Sequence, residues 1–281
     1  MKTVLILGAT GMSGSVVGKS FQSLPSYDTY LTGRDLSLAY RTKANWIKYD
    51  PTSHDSNCAV TLQEILHQMP QNPDYVINCI GVIKPFIEKD RTHSVLLNSL
   101  LPHQLADACQ ALKIKIIHIT TDCVFSGAKG SYNESSLHDC LDMYGKSKSL
   151  GEPTNCMVVR TSIIGPEIHK NASLIAWAQS QKGKEVKGFT NHLWNGMTTK
   201  QYAKVCHSIM EQNLFEHGTF HVFSNTVNKC ELLHLINNRY KLDLKITPFE
   251  AAEACDRSMT TTKSLCSKLQ MPSLESQIND L

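Results

Sequence analysis

Tyr144 and Lys148 stand four residues apart in the stretch DMYGKSKS. On a helix that spacing puts a phenol and an ammonium on one face. A phenol titrates near pH 10 and is a poor proton donor or acceptor at neutral pH, but a nearby ammonium stabilises the phenolate and brings it toward working range. No other tyrosine in the chain has a lysine at this spacing. Upstream, the run KIIHITTD ends in Thr120 and Thr121, hydroxyls that a strand would deliver to the carboxyl edge of a sheet, where open α/β folds bind ligands. A threonine there can hold a carbonyl oxygen. One group from a strand end and two from a helix would make a site for acid-assisted chemistry at a carbonyl.

The chain opens on a strand-like run, TVLILG, followed by GATGMSG, with Gly8, Gly11 and Gly14 at G-x-x-G-x-x-G spacing ahead of a helix expected to begin near Ser13. Glycines between a strand and a helix permit a tight turn, close approach of the backbone to a pyrophosphate and tight helix-strand packing, and the helix N-terminus offers free N–H groups. In this context the pattern predicts dinucleotide binding, with Thr10 and Met12 in the same loop. Lys148 could then also bond the nicotinamide ribose hydroxyls. The second strand, TYLTGR, ends in Arg34 where an NAD site usually carries an acidic residue. An arginine there can pair with a 2′-phosphate, which favours NADP(H). Asp35 follows at once, so NAD(H) stays open.

Short β-branched runs alternate with amphipathic stretches through the first half: TVLILG, TYLTGR, NWIKYD, YVINCIG, KIIHITTD and CMVVRTSI. Strand-helix-strand repetition with nearly continuous apolar strands predicts an α/β fold, a Rossmann-type doubly wound parallel sheet covered on both faces. The longest helical pattern runs from Ser94 and contains Pro102, which should bend or interrupt it. After about Gly165 the pattern loosens. Residues 1–165 are expected to form the cofactor-binding domain, joined by a helix near 198–213, and residues 166–281 mainly a smaller substrate-binding lobe.

Lysine and arginine outnumber aspartate and glutamate by only 28 to 25, interspersed, which gives no electrostatic case for nucleic acid. Ten cysteines occur without C-x-x-C spacing, so neither a zinc site nor a disulfide framework is expected. With no apolar run of membrane-spanning length and no leader ahead of the first strand, a cytoplasmic protein off the membrane is expected. His217 and His221 in HGTFHVF could share one side of a strand, but no third ligand stands at metal spacing and they read as strand histidines. Cys123 and Cys140 read as small packing residues, since no histidine is placed to activate either. The segment NHLWNGMTT holds Asn191, Trp194 and Asn195, which could line a substrate pocket or simply pack ahead of a helix capped by Thr198 or Thr199. A homodimer is compatible with the sequence but not fixed by it.

Three motifs together resemble the extended short-chain dehydrogenase/reductases of nucleotide sugars, most closely their dTDP-4-dehydrorhamnose reductase branch: GATGMSG, TTDCVFSGAKGSYNESSLHDCLDMYGKSKSLGE and VVRTSIIG. The resemblance covers the first 165 residues well. It implies Thr121 as the catalytic hydroxyl, Tyr144 as general acid and Lys148 as its partner. Asp50, Asn78, Cys79 and Thr161 would join Gly8, Thr10, Gly11, Met12, Gly14, Arg34, Tyr144 and Lys148 around the cofactor. Asp122 and Cys123 would join Asn191, Trp194 and Asn195 around the substrate. Cys123 stands where these enzymes carry tyrosine and Ile163 where they carry tryptophan, and the proline before Tyr-Gly is absent, so the sugar is left open. A dehydratase would follow the threonine with Asp and Glu, and here Cys123 follows Asp122. The reaction implied is NADPH-dependent reduction of a 4-keto-6-deoxy nucleotide sugar, for deoxysugar and polysaccharide biosynthesis. The alternatives are an NAD-dependent nucleotide-sugar epimerase, or a non-catalytic regulatory subunit such as that of methionine adenosyltransferase, which resembles these reductases. Tyr132 and Glu134 are expected to be structural.

Overall fold

The computed structural model describes residues 1–39, 45–52, 58–168 and 173–281, with the side chains of 58–61 outside that description. Its elements in chain order are β1 (Lys2–Leu7), α1 (Met12–Gln22), β2 (Tyr27–Gly33), β3 (Asn45–Lys48), α2 (Cys58–Leu66), β4 (Tyr75–Asn78), α3 (Lys84–Ile87), α4 (Arg91–Val95), α5 (Leu101–Ala111), β5 (Lys115–Thr121), α6 (Met143–Ser149), β6 (Met157–Thr161) and β7 (Ile163–Ile164). There follow α7 (Leu174–Ser180), β8 (Glu185–Phe189), β9 (His192–Trp194), β10 (Met197–Thr198), α8 (Thr199–Glu211), β11 (Gly218–His221), β12 (Val227–Asn228), α9 (Lys229–Tyr240), β13 (Lys245–Phe249), β14 (Cys255–Asp256), α10 (Leu265–Lys268) and α11 (Leu274–Asn279).

Seven strands form one parallel sheet in the order β11-β6-β5-β4-β1-β2-β3. The apolar runs explain it. Val4 and Ile6 turn to one face with Ile77, Ile117, Met157 and Val159, under α1 and α8, while Leu5 and Leu7 turn to the other with Val76, Ile116 and Val158, under α2 and α5. Each such side chain fully removed from water contributes roughly 1.5–3 kcal/mol. Chain order reverses between β1 and β4, and that switch point leaves a crevice at the carboxyl ends of the strands.

α8 packs against α1 on this sheet: Thr198 caps it by accepting from the Gln201 N–H at 3.1 Å, and Tyr202, Val205, Cys206 and Ile209 form its buried stripe. The rest of the C-terminal half builds a second core from Ile164, Ile175, Trp194, Leu232, Ile236 and Ile278, around the parallel pair β8-β13 and the small sheet β12-β9-β14.

The long helical pattern is interrupted ahead of Pro102, and by a specific device. Between α4 and α5, residues Leu96–Leu100 form a π-turn, and Pro102 sits at the start of α5. A proline inside a helix lacks the N–H and crowds the preceding turn, so opening the turn to a wider register accommodates it. The helical pattern also begins earlier than Ser94, at Arg91, because Asp90 accepts from the His93 N–H at 2.9 Å and caps it.

Candidate active site

Gly8 has φ +77 and turns the chain out of β1, and a Cβ on Gly14 would lie 2.2 Å from the Gly8 carbonyl oxygen, so α1 begins against the strand end as only glycine allows. Gly11 is the N-cap of α1 and carries no side chain to occupy the first-turn N–H groups. Gly8, Thr10, Gly11, Met12, Arg34 and Cys79 line a cleft of about 480 Å3 at the switch point. Arg34 directly follows β2 and faces this cleft, whereas Asp35 turns away to cap the next turn, accepting from the Ser37 N–H at 2.9 Å. Asp50 lies between the lining residues Tyr49 and Pro51. Burial raises its carboxyl, but bonds from the Thr52 amide and hydroxyl, at 3.0 and 2.7 Å, and the Arg34 and His93 charges outweigh that and hold it below the usual range.

At the carboxyl edge, Thr121 of β5 is in register with Thr161 of β6. Thr121 Oγ1 accepts from the Cys123 N–H and donates to Asp122 Oδ1, both at 3.1 Å. Asp122 is buried, and burial raises its carboxyl. Asp142 caps α6 through the Gly145 N–H at 2.9 Å, and the helix presents Tyr144 toward the Thr121 hydroxyl. Lys148, 6% exposed, directs its ammonium to the Ile119 carbonyl at 3.3 Å and toward Gly81 on the cleft floor, where a Cβ would lie 3.6 Å from Nζ. Thr121, Tyr144 and Lys148 thus converge beside the glycine-lined cleft.

The electrostatics differ from the sequence expectation. The phenol is raised rather than brought down: burial raises Tyr144, the neighbouring Cys123 raises it further, and the Thr121 hydroxyl draws it back. The Lys148 ammonium, bonded to the Ile119 carbonyl, is itself lowered to about 8 by burial, against the opposing pull of Glu152 and Cys79. Burial also pushes Cys79 and Cys123 up to about 12, which keeps both thiols protonated.

The expected substrate residues are placed unevenly. Asp122 and Cys123 adjoin Thr121. Asn195, 2% exposed, spends both ends of its amide on the Met259 backbone, and Asn191 does the same with Ala251. Trp194 is buried in the second core beneath the Lys229 ammonium, 4.9 Å from its ring. The Asn191 and Asn195 amides are thus spent within the lobe. His221 is fully buried, its Nε2 accepting from Arg160 Nη1 at 2.7 Å and its Nδ1–H donating to the Thr260 carbonyl at 2.8 Å. No group of metal-ligating residues occurs among the described residues, and no helix among them is long and apolar enough to cross a membrane.

Sequence reasoning missed the scaffold of α6. Asn98, fully buried in the π-turn, accepts from the Val82 N–H at 2.8 Å and donates to the Val82 carbonyl at 3.0 Å and Ser147 Oγ at 3.1 Å, while Ser99 Oγ donates to the Ser147 carbonyl at 2.7 Å. On the other side His138 bonds Ser149 Oγ at 2.6 Å and Arg160 Nη2 at 2.8 Å, and Arg160 is paired with Glu152. Arg257, which donates to the Phe125 and Ser126 carbonyls at 3.0 and 3.2 Å, and Lys229 stand near Asp122. A polar residue inside an apolar helical run ahead of a proline was the one available signal for Asn98.

The profile of the family described as RmlD substrate binding domain matches residues 1–278. The β subunit of mouse methionine adenosyltransferase 2 is 24% identical over 257 residues, covering 86% of this chain and 73% of that one. A dTDP-4-dehydrorhamnose reductase of Mycolicibacterium smegmatis is 33% identical over 118 residues, 38% of this chain and 36% of its own. Among solved structures, the dTDP-4-dehydrorhamnose reductase of Bacillus anthracis in complex with NADP superposes with a TM-score of 0.76 at 21% identity, covering 99% of this chain and 98% of that one. That likeness carries the fold, and the profile spans the glycine turn, the convergent Thr121, Tyr144 and Lys148, and the second lobe alike; the chain belongs to the RmlD substrate-binding domain family.

Proposed function

We propose that this protein is an NADPH-dependent reductase of a 4-keto-6-deoxy nucleotide sugar. The observation that carries the reading is the convergence of Thr121, Tyr144 and Lys148 beside a cleft lined by Gly8, Gly11 and Arg34. The cradle suits a dinucleotide: Gly8, Gly11 and the α1 N-terminus for its diphosphate, Arg34 for a 2′-phosphate, Lys148 for the nicotinamide ribose. Such a cofactor supplies the hydride. Thr121 holds the sugar carbonyl oxygen, Tyr144 delivers the proton to it, and the Lys148 ammonium offsets the negative charge that develops on the phenol oxygen. Residues 1–165 with α8 would hold the cofactor and most of residues 166–281 the sugar nucleotide.

Purified protein, NADPH and a panel of keto-sugar nucleotides test this through nicotinamide absorbance. Oxidation of NADPH by one of them supports the reductase. A second reading, a cofactor-binding regulatory subunit, is favoured by one observation: the methionine adenosyltransferase β subunits match 86% of the chain and the mycobacterial reductase 38%. Tight NADPH binding with a silent panel would select it.

A further inference from the structure

His118 lies on β5 ahead of Thr121, 1% exposed, and has no part in the chemistry above. In register it stands beside Asn78 of β4, with Asn78 Nδ2 at 3.1 Å from His118 Nδ1. The Asn78 amide has one orientation open to it. Its Oδ1 accepts from the Ile80 N–H at 3.0 Å, so its NH2 group must face the ring. The ring nitrogen it faces is therefore the lone pair, and the imidazole proton sits on Nε2, which is buried near the Gly151 backbone just past α6 without a well-formed hydrogen bond.

The surroundings keep the ring neutral. Burial, then the ammonium of Lys148 on α6, and also His103 on α5, push His118 well below the ordinary histidine range, against a weaker pull from the Gly151 backbone. A second proton would set an N–H against the Asn78 NH2 group, and the amide would have to turn over and release Ile80. Ile80 is closely held: a Cβ on Gly8 would lie 3.0 Å from Ile80 Cγ1 and 3.3 Å from the Cys79 carbonyl carbon and the Ile80 nitrogen. A shift there alters the space in which a diphosphate must lie.

We propose that His118 is a positioning residue: its Nδ1 lone pair fixes the Asn78 amide, which pins the Ile80 N–H and keeps the Cys79–Gly81 floor of the cleft seated against the Gly8 turn. The consequence for binding rests on the NADPH reading above; the geometry does not.

Two measurements on the full chain test it. Histidine 15N NMR of the wild type should show His118 as the Nε2–H tautomer, and Asn78→Asp, which presents an acceptor to the ring, should place a proton on Nδ1. In parallel, His118→Leu should weaken NADPH binding about tenfold, a loss of one hydrogen bond's net worth of about 1.4 kcal/mol. His118→Asn, whose Oδ1 can take the place of Nδ1, should recover affinity to within about threefold. Either a proton on Nδ1 of the wild type, or His118→Leu binding NADPH as the wild type does while melting normally, overturns the proposal, as does an Asn variant no better than Leu. Should the Leu variant fail to fold, the tautomer decides alone. Wild-type protein that shows the Nε2–H tautomer and binds no NADPH overturns the cofactor reading and supports the lock.

Discussion

Asn98 donates from its amide to Ser147 Oγ at 3.1 Å and with the same side chain grips both the N–H and the carbonyl of Val82. The helix that carries Tyr144 and Lys148 is thereby tied to the segment that floors the cofactor cleft. Replacing Asn98 with Ala leaves the Val82 amide and Ser147 hydroxyl short of partners in a buried place, at a cost of about 2 kcal/mol. Denaturant unfolding should show that loss, with a parallel fall in NADPH affinity. Full stability in the variant would mean the tie is redundant.

Tyr144→Phe should bind NADPH as the wild type does and lose turnover about 100-fold or more, the usual scale for removing a general acid. Stopped-flow and steady-state absorbance on the sugar identified by the panel give both numbers. Unchanged turnover would move the acid elsewhere.

Lys148 is a cation below its lowered value of about 8 and neutral above it. Turnover should therefore fall as pH rises through about 8, since deprotonation removes the charge that supports the Tyr144 oxygen. Lys148→Arg, which stays charged over the whole range, should shift that alkaline limb upward even though its absolute rate is lower. A pH–rate profile on both proteins checks the sign.

Arg34→Ser should cost NADPH about tenfold in affinity, the worth of a charge-assisted bond, and leave NADH nearly untouched. Isothermal titration with both cofactors reads the ratio. Equal losses for the two would place Arg34 outside the 2′-phosphate site.

Glu134 accepts from the His221 and Thr262 amides, both at 3.0 Å, and from the Thr261 hydroxyl, binding the loop ahead of α6 to residues 261 and 262. Burial raises its carboxyl, but these bonds dominate and lower it from 4.5 to about 2. A carboxyl lower in the folded state than in the unfolded one stabilises above its unfolded value, so this contribution is full above about pH 4.5 and fades as pH falls toward about 2. Glu134→Gln should melt lower at neutral pH and lose the corresponding part of the acid dependence in a calorimetric series.

How much of this the sequence carried depends on distance along the chain. The strand β1, the turn at Gly8 and the start of α1 are local, and GATGMSG specified them. The pairing of Tyr144 with Lys148 is likewise one helical turn. The groups that hold α6 in place are not: Asn98 meets Ser147, and Arg160 meets His138, only after the sheet has formed. Nor could periodicity show that the Asn191 and Asn195 amides would be taken up by Ala251 and Met259, some sixty residues on. The rise of the Tyr144 phenol was hidden for the same reason, since the burial that causes it comes from other elements.

The π-turn at Leu96–Leu100 has a consequence for how this helix can change. One residue more than an α-turn needs is stored there, so deleting a single residue would let α4 run straight into α5 while swinging Asn98 by about 100° about the axis. The buried stripe of Leu101, Leu105 and Cys109 would keep its footing on the sheet. Such a shortened chain would fold with an intact Rossmann core and a mis-set α6, which separates, in one deletion, what builds the scaffold from what aims it.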